Sequence, residues 1–164
     1  MEIGRTLITP AIVIIAAQGL NVQDNVQHVD PARSRNMSRI RHRDTKPELL
    51  VRSMLHRMGY RFRVQGKGLP GRPDIVFKGR KKAIQVHGCY WHRHDCTNGR
   101  YMPKTRTEFW AEKFKGNVER DKRNLKKLEE MGWSYLTLWE CEIADDEPTR
   151  RRLSKFLGPT RIKQ

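Results

Sequence analysis

The run Asp74-Ile75-Val76-Phe77-Lys78-Gly79-Arg80-Lys81-Lys82-Ala83-Ile84-Gln85-Val86-His87 holds two short apolar segments on either side of a cationic, glycine-containing turn. Each segment is too short for a typical helix and is rich in branched side chains, so the two read as neighbouring strands. A carboxylate opens the first strand and an imidazole follows the second. Paired across a tight turn, the strands bring Asp74 and His87 to the same end of a sheet.

The flanking elements follow from periodicity. Upstream, Tyr60-Arg61-Phe62-Arg63-Val64-Gln65 alternates apolar and polar residues, as a half-buried strand does. Gly66 to Pro73, with three glycines and two prolines, is a loop that delivers Asp74. Thr45-Lys46-Pro47-Glu48 opens a helix, with Thr45 as cap, Pro47 in the first turn and Glu48 completing a capping box. Leu50, Val51, Met54, Leu55 and Met58 form its apolar face, and Gly59 ends it. Downstream, Glu108 to Met131 reads as a long helix with Phe114, Val118, Leu125, Leu128 and Met131 as its stripe and Gly116 as a candidate break. Trp133 to Glu140 is a strand apolar on both sides, expected in the interior of the sheet, with Cys141 at its end. Helix, three strands, helix, strand describes an α/β domain with a mixed sheet flanked by helices.

The domain is expected over residues 30–145, followed by a charged helix and tail over 146–164. Residues 1–29 read as a loosely held N-terminal extension. Within it, Leu7 to Leu20 is apolar but interrupted by Thr9, Pro10, Gln18 and Gly19, and is too short to span about 30 Å of hydrocarbon. A signal peptide ending near Ala16-Ala17 is the alternative. From Asp30 to Arg41 the chain reads as a short basic helix with Met37 and Ile40 on one side. Docking of those two residues on the core and wedging of them against DNA fit equally well.

Lys and Arg total 34 against 18 Asp and Glu, a net charge of +16, with a sequence pI near 10.3. That excess favours a polyanion, most simply nucleic acid, as partner. Three cysteines are odd for a disulfide framework and point to metal ligation in a reducing compartment.

The functional residue types concentrate in Val86-His87-Gly88-Cys89-Tyr90-Trp91-His92-Arg93-His94-Asp95-Cys96. Cys89, His94, Cys96 and the distant Cys141 suit a closed tetrahedral zinc site, structural because no position is left for water. Asp74 offers a hard oxygen ligand for Mg²⁺, and His87 and His92 are of the residue type suited to proton transfer near neutral pH. Tyr90 and Trp91, exposed on a zinc-pinned loop, suit stacking on bases, and Trp110 can join them; core packing is the other reading.

Arg33-Ser34-Arg35-Asn36-Met37, Leu69-Pro70-Gly71-Arg72-Pro73-Asp74, His87-Gly88-Cys89-Tyr90-Trp91-His92, Thr105-Arg106-Thr107-Glu108-Phe109-Trp110, Asn117-Val118-Glu119-Arg120-Asp121 and Trp139-Glu140-Cys141 occur in this order. In these motifs the sequence resembles the very short patch repair endonucleases, the bacterial enzymes that nick DNA at mismatches. The resemblance runs from about Asp30 to Cys141. It implies a restriction-endonuclease-like fold related to the PD-(D/E)-x-K nucleases, making 30–145 a mismatch endonuclease domain. It implies a magnesium-dependent nick on the 5′ side of the thymine in a T:G mismatch, the product of 5-methylcytosine deamination.

Carried over by position, Asp74 is the magnesium carboxylate and the main-chain carbonyl of Val86 the second protein ligand. His92 acts on the attacking water with support from Glu48, and His87 stands at the scissile phosphate. Cys89, His94, Cys96 and Cys141 match the zinc ligands. Tyr90, Trp91 and Trp110 match rings that wedge beside the mismatch, with Met37 and Ile40 entering from the opposite groove. Gln85-Val86-His87 replaces the acidic residue and lysine of the wider superfamily, and Val86 stands where some members carry threonine. The resemblance also implies a cytoplasmic monomer acting on double-stranded DNA, with the general mismatch-repair machinery as a candidate partner. A restriction-type nuclease of the same fold and a non-catalytic zinc-stabilised DNA-binding module are the alternative functions.

Overall fold

The computed structural model describes residues 43–143 and 146–160. The N-terminal extension, the basic segment with Met37 and Ile40, and residues 161–164 lie outside the described residues. The elements are α1 (Lys46–Arg57), β1 (Arg63–Val64), β2 (Ile75–Phe77), β3 (Lys82–His87), α2 (Cys89–His92), α3 (Thr97–Arg100), α4 (Thr107–Glu130), β4 (Ser134–Trp139) and α5 (Asp146–Leu157).

The two strands of the deciding stretch form as expected. β2 and β3 are antiparallel, with Ile75 opposite Ile84 and Phe77 opposite Lys82. Their turn is a 3₁₀ segment over Lys78–Arg80, closed by Lys81 in the left-handed region at φ 50°. β1 pairs antiparallel with β2, while β3 and β4 are parallel from Lys82 opposite Ser134 to His87 opposite Trp139. The order β1-β2-β3-β4 is thus a mixed sheet with helices packed against it, the expected α/β architecture.

Two strands depart from expectation. β1 keeps only two residues; ahead of it the Tyr60 N–H donates back to the Leu55 carbonyl of α1 at 2.9 Å, and the buried Tyr60 hydroxyl donates to the Gly158 carbonyl at 2.5 Å. β4 is not interior: among the described residues it is the sheet's edge. Its apolar character on both sides reflects two covered faces, not two flanking strands. Arg152 reaches that edge and donates to the Thr137 carbonyl at 3.2 Å.

One face of the sheet carries the main core. Val51, Met54 and Leu55 of α1, Ile75, Ile84 and Leu138 of the strands, and Leu153 and Leu157 of α5 are essentially inaccessible to solvent. The segment after residue 146 is therefore part of this domain through Leu157. Its last carbonyls are tied down: Arg80 donates to Leu157 and Pro159 at 2.7 Å each, and Lys82 to Phe156 at 2.5 Å. α4 runs unbroken through Gly116, where a side chain would meet open space. It buries Trp110, Phe114 and Leu128, whereas Met131, expected in its stripe, is exposed, as is Leu50 of α1. Among the described residues no helix is long and apolar enough to cross a membrane.

The capping box of α1 does not form. Thr45 makes no side-chain cap; its hydroxyl instead donates to Glu48 at 2.8 Å. Glu48 also accepts from the Asp44 N–H at 3.0 Å and from Arg52 at 2.9 Å. Only 4% of Glu48 is exposed, so its carboxylate needs these donors and becomes the hub of the turn.

Candidate active site and metal centre

Asp74 enters β2 beside β3 and accepts a hydrogen bond from the Val86 N–H at 2.8 Å. Burial pushes its carboxyl up to about 6, with the charge of Glu48 adding to the rise and the Val86 N–H and Arg52 opposing it. Glu48 of α1 thus stands within electrostatic reach of Asp74. Two carboxylates sharing a secluded region favour a cation between or beside them.

His87 ends β3 with 8% of its surface exposed. Burial, helped by the neighbouring His92 and opposed by Asp121, pushes its imidazole down to about 4. Its ring stacks on that of His92, centroids 3.8 Å apart and planes 12° from parallel. His92 closes the single turn α2, which stops because Arg93 takes a left-handed conformation at φ 55°. The Nδ1 atom of His92 pairs with Oδ2 of Asp121 on α4 at 2.5 Å.

In this structure the direct partner of His92 is Asp121, while the Glu48 carboxylate accepts from Asp44, Thr45 and Arg52. Asp121 was available in the sequence: it lies one helical turn after Asn117, and both face the central stretch. Asn117 donates to the Trp91 carbonyl at 3.1 Å. Burial works the other way, but hydrogen bonding and charge from His92 hold the Asp121 carboxyl below its ordinary range.

Cys89, His94, Cys96 and Cys141 come together, one donor atom from each lying within 4.8 Å of the others. His94 Nδ1 is 3.8 Å from Cys89 Sγ and 3.3 Å from Cys141 Sγ. A tetrahedron with bonds of about 2.1–2.3 Å has edges of roughly 3.5–3.8 Å, so the donor set fits one metal ion of zinc's size and softness. Burial pushes the Cys89 thiol up to about 12, while the Gly99 N–H and His94 pull Cys96 down to about 7.

Sequence reasoning missed Gly99. Its N–H donates to Cys96 Sγ at 3.4 Å, and a Cβ there would lie 1.9 Å from the His94 carbonyl oxygen. Only glycine lets the backbone close around the cluster. A glycine three residues beyond a ligand cysteine was the available signal.

The aromatic residues form a packed group and do not stand exposed as expected. Tyr90 and Trp91 are half-buried, and Trp110 is only 7% exposed. Tyr90 meets Trp91 at 5.0 Å and Phe114 at 5.1 Å, both near perpendicular. Lys113 Nζ lies 5.3 Å from the Trp110 ring centroid and 5.6 Å from that of Trp91. α2 is one turn long and lies against α4, so its rings reach Phe114 and pack. Phe109, at 44% exposure, and Tyr101, at 58%, are the open rings of the group.

The family model described as DNA mismatch endonuclease Vsr matches residues 26–98. The type II nicking enzyme V.XorIIP of Xanthomonas oryzae pv. oryzae is 44% identical over 124 residues, covering 76% of this chain and 90% of that protein. The DNA mismatch endonuclease Vsr of Escherichia coli K12 is 44% identical over 135 residues, covering 79% of this chain and 86% of its own length. The catalytic domain of homing endonuclease I-Bth0305I aligns with a TM-score of 0.48 and 24% identity, over 68% of this chain and 93% of that domain. With identity at that level over most of each curated relative, the chain belongs to the Vsr family of DNA mismatch endonucleases.

Proposed function

We propose that this chain is a magnesium-dependent nickase that cuts one DNA strand on the 5′ side of the thymine in a T:G mismatch and so starts short-patch repair of deaminated 5-methylcytosine. The observation that carries the reading is the gathering of Asp74, Glu48, His87, His92 and Asp121 near one end of β2 and β3, in a member of the mismatch endonuclease family.

Asp74 and the main-chain carbonyl of Val86 are the residues that would hold magnesium. A bound magnesium ion supplies charge stabilisation at the scissile phosphate. Asp121 accepts from Nδ1 of His92 and so leaves Nε2 to take the proton of the attacking water, in the manner of carboxylate-oriented histidines. His87, pushed down to about 4, is neutral at pH 7 and suits a hydrogen bond at the phosphate. Glu48 borders Asp74 and serves to orient water there in support of His92, with Asp121 as the direct partner of the imidazole.

Cys89, His94, Cys96 and Cys141 hold structural zinc in this reading, a closed donor set with no place for substrate. Tyr90, Trp91 and Trp110 enter the base stack as one braced group, and Met37 and Ile40 enter from the other groove. The net charge of +16 serves attraction to the duplex. The enzyme acts as a cytoplasmic monomer, with the mismatch-repair machinery as its further partner.

The test compares a duplex containing one T:G pair with its matched duplex, in magnesium and in EDTA. One nicked strand, only in the mismatched duplex and only with magnesium, is expected. Equal cutting of both duplexes, or undiminished cutting in EDTA, overturns the proposal.

A further inference from the structure

The Cys/His cluster and the histidine pair are joined by an unbroken series of rings. His94, whose Nδ1 faces Cys89 and Cys141, stacks on Trp139 at 4.4 Å with planes 21° apart. Trp139 meets His87 at 5.3 Å and 73°. His87 stacks on His92 at 3.8 Å, and His92 ends the series on Asp121. Trp139 and His87 are register partners on parallel strands, so both side chains leave the sheet on the same face.

Trp139 is also held firmly at its own backbone. Its N–H donates to Glu142 at 3.4 Å across the 3₁₀ turn Glu140–Glu142, and Arg152 of α5 pairs with the same carboxylate. Cys141 lies inside that turn. The indole therefore sits between a metal-ligand cluster and an imidazole pair, with its own main chain continuing into a ligand cysteine.

Among the described residues no hydrogen bond fixes either ring nitrogen of His87. Its orientation depends on packing, with His92 on one side and Trp139 at a steep angle beside it. Rotation about the last bond of a histidine side chain is soft, and a half-turn puts each ring nitrogen where a ring carbon stood, with little change in shape. Removing the indole frees that rotation.

We propose that Trp139 is a positioning residue that transmits the order of the Cys/His centre to the His87–His92 pair. The inference rests on the reading of those histidines as groups acting at the phosphate. The metal cluster in this arrangement does more than hold a loop: through His94 and Trp139 it sets the angle at which His87 presents its nitrogens.

The test uses zinc-loaded wild type, Trp139→Leu and Trp139→Phe. Trp139→Leu is expected to keep one zinc per chain and bind the T:G duplex within about threefold of wild type, while kcat falls about 10–100-fold. Trp139→Phe, which keeps a ring, loses less on both readouts and stands in if the leucine variant does not fold. Independently of activity, contacts of the His87 ring protons with neighbouring side chains, read from nuclear Overhauser spectra, should show one ring orientation in the wild type and two in Trp139→Leu, while His92, held by Asp121, keeps one tautomer in both. Unchanged kcat and a single His87 ring orientation in Trp139→Leu overturn the proposal. So does a kcat that falls only in step with zinc content in both variants. If the wild type fails to cut the mismatched duplex, the proposed function falls, and the comparison of His87 ring orientations still decides the role of Trp139.

Discussion

His92 and Asp121 approach to 2.5 Å although they are 29 residues apart, one on a single-turn helix and the other midway along a long one. The contact commits Nδ1 of His92 and leaves Nε2 available. Asp121→Asn keeps the size of the side chain but can donate to Nδ1 and stabilise the wrong tautomer. It is expected to lower kcat about 10²–10⁴-fold with little change in DNA affinity. Glu48→Gln should instead raise the magnesium concentration needed for half-maximal activity. Single-turnover cleavage across a magnesium series distinguishes the two effects.

Asp74 makes stability depend on pH in an identifiable direction. Its folded-state value of about 6 lies above the ordinary 3.8, so the folded form binds the proton more tightly than the unfolded chain does. Stability then falls as pH rises from about 4 to about 6, and the full cost, on the order of 3 kcal/mol, is present above that. Asp74→Asn removes the titration. In magnesium-free buffer the variant should melt above the wild type at pH 7 and close to it at pH 4, and it should show no cleavage when magnesium is added. Thermal melts of both proteins across that range measure the difference.

Gly99→Ala places a methyl group against the His94 carbonyl and disturbs the Cys96 contact together with it. Loss of zinc and a melting temperature lowered by several degrees are expected, with zinc content and melting measured on the same preparation. Chelation of the wild type should reach the same melting temperature. An alanine variant with full zinc and wild-type melting would contradict the close approach.

The aromatic group separates stability from DNA contact. Trp110 is buried, so Trp110→Ala should cost about 3–5 kcal/mol of stability. Phe109 is exposed, so Phe109→Ala should change stability by less than about 1 kcal/mol. It should weaken binding to the mismatched duplex by about 1–3 kcal/mol if the open ring stacks on a base. Denaturant melts and titrations at fixed salt give the two quantities.

The strands around Asp74 and His87 were legible in the sequence because hydrophobic runs, a turn and a strand-end carboxylate are local signals. The four metal-ligand candidates were legible because cysteine is scarce here and every cysteine takes part. Asp121 was not singled out, since a charged residue on the polar face of a helix looks like any other until the fold shows what it faces. Glu48 misled for the same reason: its spacing from Thr45 suits a capping box, but burial made it an acceptor for Arg52 and Asp44. The edge position of β4 was hidden because an apolar strand reports how many of its faces are covered, not how many strands flank it. Burial of Trp110 came from a long-range contact with a one-turn helix, which no periodicity announces.

The clamp on the end of α5 has a consequence for synthesis. Arg80, Lys82 and Tyr60 hold carbonyls that lie 74 to 98 residues further along the chain, and Leu153 and Leu157 fill the core beside them. A chain growing from its N-terminus makes Asp74 and both histidines long before it makes those carbonyls. The core behind the candidate active site closes only when the last helix arrives, so a nascent or prematurely terminated chain carries the candidate catalytic residues without the frame that aligns them.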